Sequence, residues 1–213
     1  MKKELLKYSI TLGLLIVVFC PTLSAQTVDI KKEYSSTLLE LTDALLEMQV
    51  VSKDIPTYGA LNCAHCNVFH TRAAESVYPF AVAYRITKDK KYLYAAKRLG
   101  NWLIRQQEVD GSWKETPEEW TGTTTDQLLM MLLSYNIIRD KLNAQESVNW
   151  ELSIEKAADY LTSVMSPEFA SINYVATTTA TLAVAHELFL KDTYIQKARE
   201  LAHRTVSKMD EDG

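Results

Sequence analysis

Apolar residues recur along most of this chain at spacings of three and four, the pattern of helices that bury one stripe. The spacing predicts seven helices, at about 30–51, 71–87, 90–107, 123–139, 147–165, 173–190 and 192–209. No segment sustains the two-residue alternation of a half-buried strand. Only six glycines and five prolines interrupt 213 residues, which suits few, long elements. The fold class read from this pattern is all-α.

The helices also repeat. Thr71, Gly122 and Asn173 each open a helix, at intervals of 51 residues, and the same interval relates Tyr84, Tyr135 and His186. At twice that interval, Asp89–Gly111 lies over Lys191–Gly213, so that Tyr92 meets Tyr194, Ala96 meets Ala198, Leu99 meets Leu201 and Gly111 meets Gly213. A fixed period of this size predicts antiparallel helical hairpins that bury their faces against neighbouring copies. In the first copy Ser112 and Trp113 follow the Asp-Gly turn, whereas the second stops at Gly213. The expectation is a truncated stack whose last hairpin face is open.

Consecutive antiparallel helices put alternate connections on opposite rims. One set is short and polar: Lys88 to Asp89, Asp140 to Glu146, and Lys191. The other is longer and chemically richer: Ser52 to His70, Val109 to Thr121, and Ser166 to Ile172. All three long loops precede the helices that open near 71, 122 and 173, so one rim should carry them. Binding and catalysis gather on loops held by a rigid scaffold, and helix N-termini on that rim favour anionic ligands.

The first long loop holds Cys63, His65, Cys66 and His70. Four such ligands could hold zinc, with His65 squeezed between the cysteines. An exported chain favours a Cys63–Cys66 disulfide or quiet thiols instead, so no metal is expected. His70, Arg72 and Glu75 form either a helix-capping network or a cluster that binds sugar or carboxylate. In the second loop, Trp113 belongs to the repeat turn and reads as core. Trp120, beside Gly122 and three threonines, is the candidate for stacking on a sugar ring. Asp126 lies in the first turn of an otherwise apolar helix, where it either balances the helix dipole or, partly buried, serves as a general acid. Asn173 is either an N-cap or, with Tyr174, a pair that holds a uronate carboxylate and moves a proton. His186 and His203 read as structural.

Charge and the N-terminus narrow the setting. Residues 1–25 read as a signal peptide: Lys2, Lys3 and Lys7 precede an apolar run from Leu12 to Phe19, and Leu23-Ser24-Ala25 offers a cleavage site before Gln26. That run is shorter than the ~20 residues needed to span a bilayer, and no later segment could cross one. Bulky Phe19 before Cys20 argues against a lipoprotein. The expected location is periplasmic or secreted, with residues 26–213 as one domain. The net charge is −4 and no basic cluster occurs, so nucleic acid is not an expected partner. Nothing calls for a cofactor.

With these residues in place, the chain resembles the N-terminal part of an (α/α) toroid carbohydrate-active enzyme. Asp126-Gln127-Leu128-Leu129-Met130 is similar to the Asp-x-Leu-x-Met at a helix start in unsaturated glucuronyl hydrolases and related six-hairpin glycosidases. That resemblance implies an acid/base role for Asp126, and Glu75, one repeat earlier, is the candidate second acid. Asn173-Tyr174 resembles the Asn-His or Asn-Tyr pairs of heparinase II/III-type polysaccharide lyases. There the asparagine neutralises a uronate carboxylate and the Tyr or His takes the adjacent proton. The stretch from Lys97 to Trp113, with Gln106, Gln107 and Gly111-Ser112-Trp113, is similar to the Gln-Trp repeat of triterpene cyclases. That repeat is a turn device in which a glutamine side chain caps backbone beside a packed tryptophan. The cyclases' Asp-x-Asp-Asp acid is nowhere in this chain.

The functional expectation is an exported glycan-degrading enzyme, hydrolase-like, acting on uronate-containing polysaccharide or oligosaccharide. Asp126 and Tyr174 are its catalytic candidates; His70, Arg72, Glu75, Trp120 and Asn173 are its substrate contacts. Two alternatives stand beside it: a polysaccharide lyase working by β-elimination, and a non-catalytic helical-repeat protein that binds carbohydrate.

Overall fold

The structure, a computed structural model, describes residues 29–63, 65, 68–114 and 122–209. The chain divides into a unit of residues 1–34 and a unit of residues 35–213, and the fold described below is that of the second. Seven α-helices follow in order: α1 (Ile30–Met48), α2 (Val77–Thr87), α3 (Lys90–Arg105), α4 (Thr124–Ile138), α5 (Ala144–Val164), α6 (Ile172–Phe189) and α7 (Asp192–Val206). There is no strand among the described residues, and none of their helices is long and apolar enough to cross a membrane.

All seven expected helices form, and their ends differ for local reasons. The first stops at Met48 because Gln49 bridges to Leu61 and the Val50 N–H donates to the Ala60 carbonyl at 2.9 Å. The second opens as a 3-10 segment, Thr71–Ser76, before α2 takes α-helical form. The fifth starts three residues early. Asn143 accepts from the Glu146 N–H while the Glu146 carboxylate accepts from the Asn143 N–H, both at 2.9 Å, a reciprocal cap that fixes the entry.

Helices α2, α4 and α6 pack side by side as one layer, and α3, α5 and α7 pack as a second layer against them. The sequences suit these places. Helix α4 is buried on most sides, through Thr124, Leu128, Met131, Leu132, Tyr135 and Ile138, as a helix between neighbours must be. Helix α3 buries one stripe, Tyr92, Leu93, Ala96, Leu99 and Leu103, and keeps a charged face outside.

The repeat seen in the sequence is physically built. Lys88 and Leu190, 102 residues apart, are the two non-glycine residues with left-handed backbone among those described (φ 61° and 55°). Each closes its hairpin by donating its N–H four residues back, to Tyr84 and His186, at 2.8 Å. Just beyond each turn a tyrosine ties outer helices together. The Tyr92 hydroxyl donates to Asp43 at 2.8 Å, and that of Tyr194 donates to Asp159 at 2.6 Å. Lys91 and Lys191 pair with the same two carboxylates at 2.8 and 3.2 Å.

A second repeated device holds the long loops. The Gln49 amide donates to the Gly59 carbonyl (3.1 Å) and to the Ala95 carbonyl of α3 (3.0 Å). The Gln107 amide donates to the Gly111 carbonyl and to the Ser153 carbonyl of α5, both at 2.9 Å. Each glycine has positive φ (95° and 98°) and lies so close to the outer helix that a Cβ would collide with the carbonyl of Arg98 or Lys156. Trp113 is fully buried and its indole N–H donates to the Leu103 carbonyl at 2.9 Å. The stretch that resembles a Gln-Trp repeat therefore works as a turn device.

Two substitutions test this. Gln107→Leu strands the Gly111 carbonyl and the Ser153 hydroxyl, and should cost about 2 kcal/mol, a fall of roughly 4–8 °C in Tm. Gly111→Ala meets both a forbidden φ and a filled space, and should cost about 3 kcal/mol. Thermal and urea unfolding of the chain measure both, and a shift within error of zero at Gly111 would remove the close-approach account.

Candidate functional site

The first two long loops meet at one end of the layers. The Thr71 hydroxyl, at the start of the 3-10 segment, donates to the Lys114 carbonyl of the second loop. The Trp113 N–H donates to the Thr124 hydroxyl at 3.0 Å, which fastens that loop to the start of α4. The loop after α1 thus leads to the same end as the loop before α4, as the alternation of rims predicted.

The start of α4 is unusually polar for its burial. Thr123, Thr124, Thr125 and Gln127 are fully buried. They form part of a ladder between the helices of the first layer. The Gln127 amide donates to the Thr71 hydroxyl at 3.0 Å, and the Thr181 hydroxyl of α6 lies 3.5 Å from the Thr125 carbonyl. Both rungs span 56 residues, against a sequence period of 51. Level with Thr125 is therefore Thr181 rather than the opening of α6. Asn173 and Tyr174 lie about 10 Å further out along α6, at 1.5 Å per residue.

Asp126 is half-buried beside this ladder. Loss of water pushes its carboxyl above the ordinary range, while the Arg72 charge and the Thr125 hydroxyl, 3.5 Å away, pull it back. Arg72 pairs with Glu75 at 3.5 Å, within the turn that carries both. Next to them opens a cleft of about 320 Å³, walled by Leu45, Met48, Leu61 and Ala73, with His70 and Arg72 also lining it. The structure thus brings His70, Arg72 and Glu75 together, with Asp126 within electrostatic reach of Arg72.

Several expectations need correction. Asn173 is not the N-cap of α6. Ser171 holds that position, its side chain makes no capping bond, and its hydroxyl instead donates to the Asn173 carboxamide at 2.7 Å. His70 occupies the N-cap position of the 3-10 segment, where its side chain makes no capping bond. His186 is structural as expected, its Nδ1 lying 3.0 Å from the Lys191 carbonyl at the far end of α6. Trp120 and Cys66, and with Cys66 the proposed pairing to Cys63, lie outside the described residues. Sequence reasoning missed the roles of Thr71, Gln127 and Thr181. Their signal was polar side chains in segments otherwise patterned for complete burial.

With that geometry in place, comparison with known proteins is informative. Residues 38–213 match the ulvan lyase N-terminal domain. The chain belongs to that family. It is also similar to the broad-specificity ulvan lyase of Formosa agariphila, at 25% identity over 191 residues. The aligned region covers 88% of this chain and 30% of that protein, so the chain spans under a third of its curated relative's length. The family match includes every described candidate, from His70 to Tyr174.

The burial of Asp126 yields a sign. A carboxyl whose folded pKa is raised binds more protons folded than unfolded, so stability falls as pH rises from 3.8 through its folded value. Asp126→Asn removes that loss. The variant should melt higher than wild type at neutral pH, with the difference vanishing below the ordinary carboxylate range. A lower melting temperature at pH 7 would make the favourable helix-dipole term, about 0.3–1 kcal/mol, the larger one.

Proposed function

We propose that this chain is the helical domain of an exported polysaccharide lyase that cleaves uronate-containing polysaccharide by β-elimination. In this reading the two helical layers belong to an (α/α) toroid whose mouth is the loop-bearing end, and residues 1–25 direct export. The observation that carries it is the match of residues 38–213 to an ulvan lyase domain. That match favours elimination over the hydrolytic reading of Asp126.

The chemistry fits the side chains available. Elimination takes the proton on the carbon beside the uronate carboxylate and expels the glycosidic oxygen, which leaves with a proton. The product gains a double bond, and no water is consumed. One group must neutralise the carboxylate so that the carbon acid is weakened less by charge, and one must move the proton. Asn173 and Tyr174, on the first turn of α6, supply a carboxamide and a phenol for these two tasks. Arg72 and His70, about two helical turns deeper, hold an acidic group elsewhere along the polymer, with Trp120 and Glu75 as further contacts. Hydrolysis needs two carboxyl groups across the scissile bond. The repeat-equivalent partner of Asp126 is Glu75, which the Arg72 ion pair already engages.

Incubation with ulvan, following ultraviolet absorbance of unsaturated ends against total reducing ends, tests the reading. Elimination raises both in step, and reducing ends alone would establish hydrolysis. Tyr174→Phe should lower turnover by about 10²–10⁴-fold with the fold intact, whereas Asp126→Asn should cost far less. The reverse pattern would move the chemistry to Asp126. Binding of ulvan without cleavage would leave the domain a binding module.

A further inference from the structure

A second cleft, of about 350 Å³, lies on the other layer of the molecule. Its walls come from the loop after α1 (Lys53 and Tyr58), from α3 (Tyr94, Lys97, Arg98 and Asn101) and from Glu146 of α5. None of these residues takes part in the site at the openings of α2, α4 and α6.

Its charges do not cancel. Lys97 is spent on Glu146, at 2.6 Å with both side chains four-fifths buried. Arg98 is different. Its Nε and Nη2 donate at 3.0 and 2.6 Å to Oε1 of Gln49, a neutral amide, and it makes no ion pair among the described residues. Lys53 is exposed and likewise makes no ion pair among them. The cleft therefore presents a partly buried guanidinium and an exposed ammonium, neither of them ion-paired among the described residues, beside the Lys97–Glu146 pair. Arginine in that state suits oxyanions such as carboxylate or sulfate.

The remaining walls suit a sugar ring. Tyr94 is 50% exposed and offers a ring face, and Tyr58 lies in the same cleft. Asn101 is held between the Trp150 indole N–H, which donates to its carboxamide oxygen at 2.8 Å, and the Glu146 carboxylate, so this wall is fixed in place. The loop is held before any ligand arrives: the Tyr58 carbonyl accepts from Arg105 at 2.6 Å, and the next residue is the Gly59 gripped by Gln49. Such preorganisation lowers the entropy cost of binding.

We propose that this cleft is a second, non-catalytic binding site for an acidic sugar residue of a polysaccharide, with Arg98 and Lys53 on the anion and Tyr94 against the ring. The identity of the polymer rests on the lyase reading, but the cleft's preference for acidic over neutral sugar does not. Its position on the outer layer, apart from the openings of α2, α4 and α6, would let the domain hold one stretch of polymer while another is engaged at the site.

Affinity electrophoresis of the chain through gels containing ulvan, polygalacturonate or neutral dextran tests the proposal, with the double variant Lys53→Glu, Tyr94→Ala beside wild type. Both residues are exposed at the surface, so circular dichroism should be unchanged. Retardation by the acidic polymers should weaken by roughly tenfold, with dextran indifferent to both proteins. Equal retardation of variant and wild type, or equal retardation of wild type by dextran, would overturn it. If wild type releases no unsaturated product while the double variant still loses binding, the lyase reading fails and the cleft stands.

Discussion

The architecture depends on one requirement: each long loop must be pinned where its backbone crosses the next outer helix. In this chain a single glutamine amide meets that requirement with two bonds, one to its own loop and one to the next helix of the outer layer. Gln49 and Gln107 can do so only because Gly59 and Gly111 bring the loop backbone against that helix. With those contacts made, the ends of the long loops are fixed, and the residues that follow them open the next helix of the first layer at a defined place. Arg72 and Asp126 owe their proximity to this chain of constraints.

The fold was largely legible in the sequence because its determinants are periodic. Tyr92 and Tyr194 match at 102 residues and make the same contact, hydroxyl to carboxylate, with a lysine beside each. Helix ends were less legible, since they hang on reciprocal bonds such as that of Asn143 with Glu146, which leave no periodic trace. The site was half legible. Residue types and shared rim could be read, but not the stagger between helices. A period of 51 aligns Thr71, Gly122 and Asn173, whereas the hydrogen-bond rungs join residues 56 apart. That difference separates Tyr174 from Asp126, and it arises from how helices slide in packing, not from spacing along the chain.

The two layers carry different chemistry. The first is threaded by hydroxyls and one amide among apolar side chains, so its polar groups are dry and their geometry is fixed. The second is stitched by buried tyrosines and a tryptophan that reach polar partners nearer the surface, together with ion pairs, most of which water screens. On the proposed reading an acidic polymer would meet a shaped, partly dehydrated site on one layer and a cationic cleft on the other. Residues 38–213 belong to the ulvan lyase N-terminal domain family, and on the proposed reading this division would separate where a chain is cut from where it is held.

The stitches also bear on how the molecule acquires its shape. Tyr92 to Asp43, Gln107 to Ser153, Trp150 to Asn101 and Gln127 to Thr71 span 49, 46, 49 and 56 residues. Every one closes a loop of about one repeat, and the entropy of loop closure grows only logarithmically with length. No contact among these has to wait for a much larger loop than its neighbours. Folding can therefore advance as a zipper, each docked hairpin presenting the template for the next, and in principle from either end of the stack. On a ribosome, that property would let each hairpin consolidate as it emerges, before the rest of the chain exists.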